Sequence, residues 1–410
     1  MTYSNGVMAI GGSTGVRPLL VAAACLALAH GVSSRQDRKV LPSTSDVNTG
    51  APGAPTDAPA VVAGGFVYTS GLFGLDQGGP RDQPDVAAET RRALDRLKTV
   101  LEAGGSSLAQ AVSVTVYLRN SSDFDAMNAA YREYFPEKPP ARTTVSAELP
   151  HGAQVMLSAI ALPQGAAREV LQPAGWMKSP RPYSYIVRAG DLLFLSGLVS
   201  RRGTDDQVVP GSIAVQTRTI LDNAGTLLRT AGLSYDSVVA ARVFLTDDSL
   251  FEAMNDEYRR YFAEGPPARA TAITHLVGPE SLVEISLVAS TAGKQLLGPT
   301  VSPSLPVSTA VRVGPRVFLS GVVGNTEANV GDVAAQTREM LGHIRRTLDL
   351  AGMTFSDVVD NTVYLPDLWQ FDKMDAIYRE AFLIPPARTT LGARLVSRAE
   401  LVEIMATAVK

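Results

Sequence analysis

The chain has 410 residues, 37 Lys+Arg against 40 Asp+Glu, a formal net charge of −3 and 45% hydrophobic residues. That is globular composition, long enough for two to four domains at roughly 100–200 residues each, without the basic excess of a protein that coats nucleic acid. One cysteine excludes a disulfide framework and a Cys-based zinc site, and four scattered histidines (His30, His151, His275, His343) form no pair at metal-binding helical spacing.

Residues 19–29 read LLVAAACLALA. This apolar run is shorter than the roughly 20 residues that cross a bilayer. It follows Arg17 and ends in Ala27-Leu28-Ala29, an A-x-A pattern. It predicts a signal peptide over 1–29, export to the periplasm or outside, and no stable membrane association after cleavage. Lipoprotein processing at Cys25, behind Ala22-Ala23-Ala24, is the second reading; without processing the chain would be cytoplasmic. Residues 30–58 are rich in Ser, Pro, Asp and Gly and predict a flexible tether.

From residue 59 onward one unit recurs three times, with five markers in the same order. A strand ends in Ser-Gly at 66–71 (FVYTSG), 193–197 (LFLSG) and 317–321 (VFLSG). A helix follows with ETR, QTR and QTR at 89–91, 216–218 and 336–338, stopped by Gly104, Gly232 and Gly352. A second strand reads VTVYL at 114–118, ARVFL at 241–245 and NTVYL at 361–365. A second helix carries Phe124, Met127, Tyr131 and Phe135, repeated as Phe251, Met254, Tyr258, Phe262 and as Phe371, Met374, Tyr378, Phe382. Offsets of 0, 3, 7 and 11 form one helix face, the signature of packing on a sheet before that of a ligand box. Pro-Pro then ends the helix, in PPAR at 139–142, 266–269 and 385–388.

The marker serines Ser70, Ser196 and Ser320 lie 126 and 124 positions apart, so each unit is a domain, not a solenoid repeat. The domains are expected at 59–164, 178–292 and 303–410, with linkers at 164–178 and 292–303. Each reads as α+β, a sheet with two helices on one face. The other face needs covering, and three copies in one chain can cover it on each other.

Each unit resembles the RidA (YjgF-like) family of enamine/imine deaminases, once described as L-PSP endoribonucleases. The resemblance rests on the Ser-Gly strand, F-x-x-M-N-x-x-Y (124–131, 251–258), PPAR, and LVEI at 282–285 and 401–404. It implies three tandem chorismate-mutase-like domains. These would form an intramolecular pseudo-trimer, acting as a monomer, with a site in each cleft between units. It implies hydrolysis of 2-aminoacrylate-like enamines and imines to 2-keto acids and ammonia. No cofactor and no metal would take part, and the partner would be a small carboxylate.

Carried over residue by residue, the carboxylate-binding arginine falls on Arg142, Arg269 and Arg388, with Thr144, Thr271 and Thr390 on the same strand face two residues on. The proton-shuttling acid falls on Glu284 and Glu403; in unit 1 that position is Met156 if its loop is one residue shorter and Leu157 in an ungapped register, neither of them an acid. The early tyrosine is present only as Tyr183; unit 3 has Val307, and unit 1 has no match near Asp57. The second-helix asparagine falls on Asn128 and Asn255, with Asp375 in unit 3, and the serines Ser70, Ser196 and Ser320 complete the set. The resemblance places arginine and asparagine on one side of a cleft and tyrosine, serine and acid on the other. Unit 2 therefore supplies the one full acid-bearing half, facing Arg142 or Arg388. The competing functions are a non-catalytic module for carboxylate metabolites, a ribonuclease, and a purely structural pseudo-trimer.

Overall fold

A computed structural model describes residues 38–42, 57–75, 85–300 and 305–410. The expected signal peptide lies outside the described residues. The three domains each build one mixed sheet carrying two helices. In domain 1 the strand order is Lys39–Val40, Ala60–Ala63, Phe66–Thr69, Val155–Ala161, Ala111–Leu118, Ala141–Ser146. The last two strands run parallel and the others antiparallel. The parallel pair is joined by a helical crossover, as such a pair requires.

The helices are α1 (Val86–Ala103) and α2 (Phe124–Tyr134) in domain 1, α3 (Ile213–Thr230) and α4 (Phe251–Tyr258) in domain 2, and α5 (Val333–Leu350) and α6 (Phe371–Ala381) in domain 3. Asp85, Ser212 and Asp332 cap α1, α3 and α5 by accepting a backbone N–H of the first turn. Gly232 and Gly352 take the left-handed conformation just past their helices, as expected. In domain 1 that conformation belongs to Gly105, one residue beyond the expected Gly104.

Alternation along the second strand divides the interior in two. Val114, Val116 and Leu118 face α1 and α2, while Tyr117 points the other way. Tyr117, Phe244 and Tyr364 occupy equivalent positions and join one core with Phe66, Phe194 and Phe318 from all three domains. Each helix pair keeps its own core on the outer face. The helix-free faces thus cover one another within the chain, an intramolecular pseudo-trimer. Burying one large apolar side chain contributes about 1.5–3 kcal/mol, so this shared core couples the folding of the three domains.

The linkers carry strands of their own: Arg168–Leu171 adds an edge strand to the domain 2 sheet and Gln295–Thr300 one to the domain 3 sheet. Val170, Leu171 and Leu297 sit partly or fully buried there, and pairing covers strand edges that would otherwise stay open. The expected tether is also not uniformly free. Lys39–Val40 pairs with Val61 and Val62, and Asp57 is buried. No described helix is long and apolar enough to cross a membrane.

Candidate active clefts between domains

The PPAR and Ser-Gly segments meet across each domain interface. Proline offers a carbonyl and no N–H, so Pro-Pro presents acceptors without leaving a donor to satisfy. Ser184 N–H donates to Pro140 O, Ser308 N–H to Pro267 O and Ala58 N–H to Pro386 O. The marker serine follows. Ser196 Oγ accepts from Arg142 N–H at 2.8 Å and donates to Ser184 O; Ser320 does the same with Arg269 and Ser308, and Ser70 with Arg388 and Ala58. The next glycine donates to the same arginine's carbonyl, Gly197 to Arg142, Gly321 to Arg269 and Gly71 to Arg388. These contacts settle the pairing: domain 1 presents its arginine to domain 2, domain 2 to domain 3, and domain 3 to domain 1. Arg142, not Arg388, faces Glu284.

Strand register identifies the acid position in each domain. Phe244 pairs with Glu284, Tyr364 with Glu403 and Tyr117 with Met156. A β-carbon at Gly197 would overlap Glu284 Oε1, and one at Gly321 would overlap Glu403 Oε1. The glycine of the Ser-Gly signature is therefore required by the acid beside it.

In the first cleft, of about 230 Å³, Arg142, Thr144, Tyr183, Gly197 and Glu284 line one space. Thr144 N–H donates to Glu284 Oε1 at 3.2 Å. The Arg142 guanidinium lies 4.9 Å from the Tyr131 ring centre, 5.7 Å from Tyr183 and 5.8 Å from Phe124. It makes no ion pair, and its buried Nη1 has no hydrogen-bond partner among the described residues. Burial pulls Arg142 below its ordinary pKa, against the pull of Tyr131, Tyr183 and Glu284. Burial likewise pushes Glu284 up to about 8, against the Thr144 hydrogen bond and Arg142. At neutral pH this is a buried carboxylic acid opposite a buried guanidinium. Asn128 is buried on α2 and its Oδ1 has no hydrogen-bond partner among the described residues.

The second cleft repeats the pattern with less freedom. Arg269 lies over Tyr258 and Phe251, and its Nη2 donates to Asn255 Oδ1 at 2.7 Å, leaving Nη1 buried without a partner among the described residues. Burial, then Glu400, push Glu403 up to about 8 against the Thr271 N–H and Arg269. Val307 stands where Tyr183 stands in the first cleft, as the backbone bonds of the following serines show.

The third cleft differs in kind. Arg388 is held by two carboxylates: Asp57 meets Nε at 2.6 Å and Nη2 at 2.9 Å, and Asp375 meets Nη1 at 2.7 Å. Asp57 occupies the position equivalent to Tyr183 and Val307, and Asp375 that of Asn128 and Asn255. Burial works against the Arg388 charge, but Asp57, Tyr378 and Asp375 hold its pKa above the ordinary value. Thr390 and Met156 line the same cavity.

Three features escaped the sequence reading. The aromatic stripe is core, as expected, but its Phe and Tyr rings also form the floor beneath each arginine. The marker-serine hydroxyls staple neighbouring domains and do not stand free in the cleft. Arg181 and Arg201 line the first cleft; Arg201 belongs to a basic doublet that sequence alone reads as a solvated face. Among the described residues no group of three or more His, Cys, Asp or Glu is placed to hold a metal ion.

The raised acids set a pH dependence of stability. Glu284 and Glu403 titrate near 4.5 when unfolded and near 8 when folded. Their contribution is fully present below pH 4.5 and is lost as pH rises through 8, since the folded state must then hold a buried charge. Denaturant midpoints should fall between pH 5 and 9, and the Glu284→Gln, Glu403→Gln double variant should flatten that fall. Equal slopes in both proteins would contradict the burial assigned to these carboxyls.

Known proteins bear out the fold. The family model described as Endoribonuclease L-PSP matches residues 52–162, 176–291 and 300–410. The 3-aminoacrylate deaminase RutC of Acinetobacter baylyi is 34% identical over 122 residues, 30% of this chain and 97% of that protein. The 2-iminobutanoate/2-iminopropanoate deaminase of Bos taurus is 31% identical over 138 residues, 34% of this chain and 96% of that protein. A chorismatase crystal structure shares the fold across 82% of this chain and 97% of its own, with a TM-score of 0.53 at 15% identity. Matched three times over by one family model, and built as three such domains closed on one another, the chain belongs to the L-PSP (RidA/YjgF) family.

Proposed function

We propose that the chain is an enamine/imine deaminase, releasing ammonia from small 2-imino or 2-enamino acids to leave 2-keto acids. The observation that carries this reading is the first cleft, where an unpaired buried guanidinium faces a carboxyl protonated at neutral pH. The guanidinium of Arg142 holds the substrate carboxylate through its fork of N–H donors, and the dry site strengthens that contact. The Glu284 proton goes to the terminal carbon of the enamine, making an iminium. The Glu284 carboxylate then takes a proton from water as the water oxygen bonds the iminium carbon. The resulting carbinolamine receives that proton from Glu284 on nitrogen and expels ammonia, and its hydroxyl proton passes back to the Glu284 carboxylate as the oxygen becomes the keto group. Enamine plus water thus gives keto acid plus ammonia, with Glu284 returned to its starting state.

The Arg269–Glu403 cleft can run the same steps without a tyrosine. The Arg388–Met156 cleft has neither a released arginine nor an acid at the position of Glu284. The net charge of −3 favours this small-molecule chemistry over the ribonuclease reading.

The test is keto-acid release from freshly generated 2-aminoacrylate, compared with its spontaneous hydrolysis. Loss of a charge-assisted bidentate contact should lower kcat/KM of the Arg142→Ala, Arg269→Ala double variant by about 10² or more. No acceleration by the wild-type chain, or full acceleration by that variant, would refute the reading.

A further inference from the structure

The third cleft is not an empty relic of the other two. It encloses about 430 Å³, against about 230 Å³ for the Arg142 cleft. Its walls are apolar and aromatic: Phe73, Leu149, Met156, Leu368, Trp369 and Phe371. Trp369 stands 93% exposed at the rim, an unusual position for a large ring, uncovered among the described residues.

The charge balance is reversed. The first cleft is lined by Arg142, Arg181 and Arg201 against Glu280 and Glu284, and Glu284 is neutral at pH 7. The third is lined by Asp57, Glu148 and Asp372 against Arg119 and Arg388. Arg388 is already answered by Asp57 and Asp375, and Arg119 spends its side chain on the carbonyls of Ala153 and Leu149. Glu148 and Asp372 make no side-chain hydrogen bond or ion pair among the described residues. A carboxylate entering here finds its arginine filled by an in-chain carboxylate and meets two further negative charges. A cation meets those charges among the rings of Phe73, Phe371 and Trp369, of which Phe371 already lies under the Arg388 guanidinium, and aromatic rings attract cations over their faces.

We propose that the Arg388 cleft is a second small-molecule site of opposite preference, one that takes an amine carrying an aromatic body. The site is independent of the deaminase reading, because nothing in it requires turnover.

Phenethylamine and 3-phenylpropionate share an aromatic body and differ in charge, so they are the probes. Trp369 is one of two tryptophans in the chain and reports on this rim. Phenethylamine should bind saturably by calorimetry and shift the tryptophan emission. In Trp369→Phe the shift should vanish while the heat of binding persists. Asp372→Asn and Glu148→Gln are exposed changes that spare the fold, and each should weaken phenethylamine about five- to tenfold, the effect of one screened charge nearby. Phenylpropionate should leave Trp369 emission unmoved in the wild type, and Asp57→Asn, which frees the Nε and Nη2 edge of Arg388 while Asp375 keeps Nη1, should let it bind there. No saturable phenethylamine binding would overturn the proposal. So would a Trp369 shift with phenylpropionate equal to that with phenethylamine, or phenethylamine binding unchanged in the Asp372→Asn, Glu148→Gln double variant.

Discussion

Glu284→Gln should remove most turnover while leaving the fold and carboxylate binding in place. A positioned proton donor and acceptor is worth about 10²–10⁴ in rate, and the amide keeps the shape and the Thr144 hydrogen bond without a transferable proton. Glu403→Gln should cost less, because its cleft lacks the tyrosine and Arg269 already spends one nitrogen on Asn255. The pH profile should carry the same signature. Glu284 must start protonated, so with a folded pKa near 8 the rate should hold through neutrality and fall above about pH 8. Met156→Glu alone should add no activity, since Arg388 stays bound by Asp57 and Asp375. Wild-type kcat in Glu284→Gln would remove Glu284 from the mechanism, and no acceleration by the wild-type chain, with ligand binding still sensitive to Arg142 and Arg269, would transfer the clefts to the binding-module reading.

The second large effect concerns stability and separates arginines that sequence treats alike. Removing Arg388 leaves Asp57 buried and uncompensated, while Asp375 keeps its ion pair with Arg379, a loss of about 3–5 kcal/mol for a broken buried pair. Removing Arg142 strands no carboxylate, because Arg142 has no ion-pair partner among the described residues; it removes a buried charge that burial already disfavours. Arg388→Met should therefore lower the urea midpoint sharply, whereas Arg142→Met should leave it unchanged or raise it. Equal losses in the two variants would show that both arginines are structural in the same way.

The periodic features of the chain were the legible ones. Threefold recurrence of the Ser-Gly strand, the Phe-Met-Tyr helix and PPAR was enough to place three α+β domains closed on a common centre. The one-residue deletion that puts Met156 at the acid position is the register the strands adopt. What escaped was whatever depends on contact between distant segments. Whether Glu284 faces Arg142 or Arg388 is decided by Ser196 bonding to Arg142, a contact without local pattern. Asp57 sits in a Pro- and Gly-rich stretch that composition marks as tether, and only the docking of domain 3 turns it into the partner of Arg388. The linkers became strands because open sheet edges lay beside them, which linker composition does not record.

The third interface also has a topological role. The chain crosses from domain 1 to domain 2 and from domain 2 to domain 3, so covalent linkage holds those seams at high effective concentration. No linker carries domain 3 back to domain 1. That seam holds the Asp57–Arg388–Asp375 cluster, and beside it Arg38 donates to the carbonyls of Ser356, Val358 and Pro385. A ring made from an open chain has one place where it can spring apart, and here that place is latched with buried charge. Three identical subunits could not make this division, because every change in one cleft would be copied into all three. Fusion into a single chain frees one interface to serve as the latch while the other two keep an unpaired arginine facing an acid.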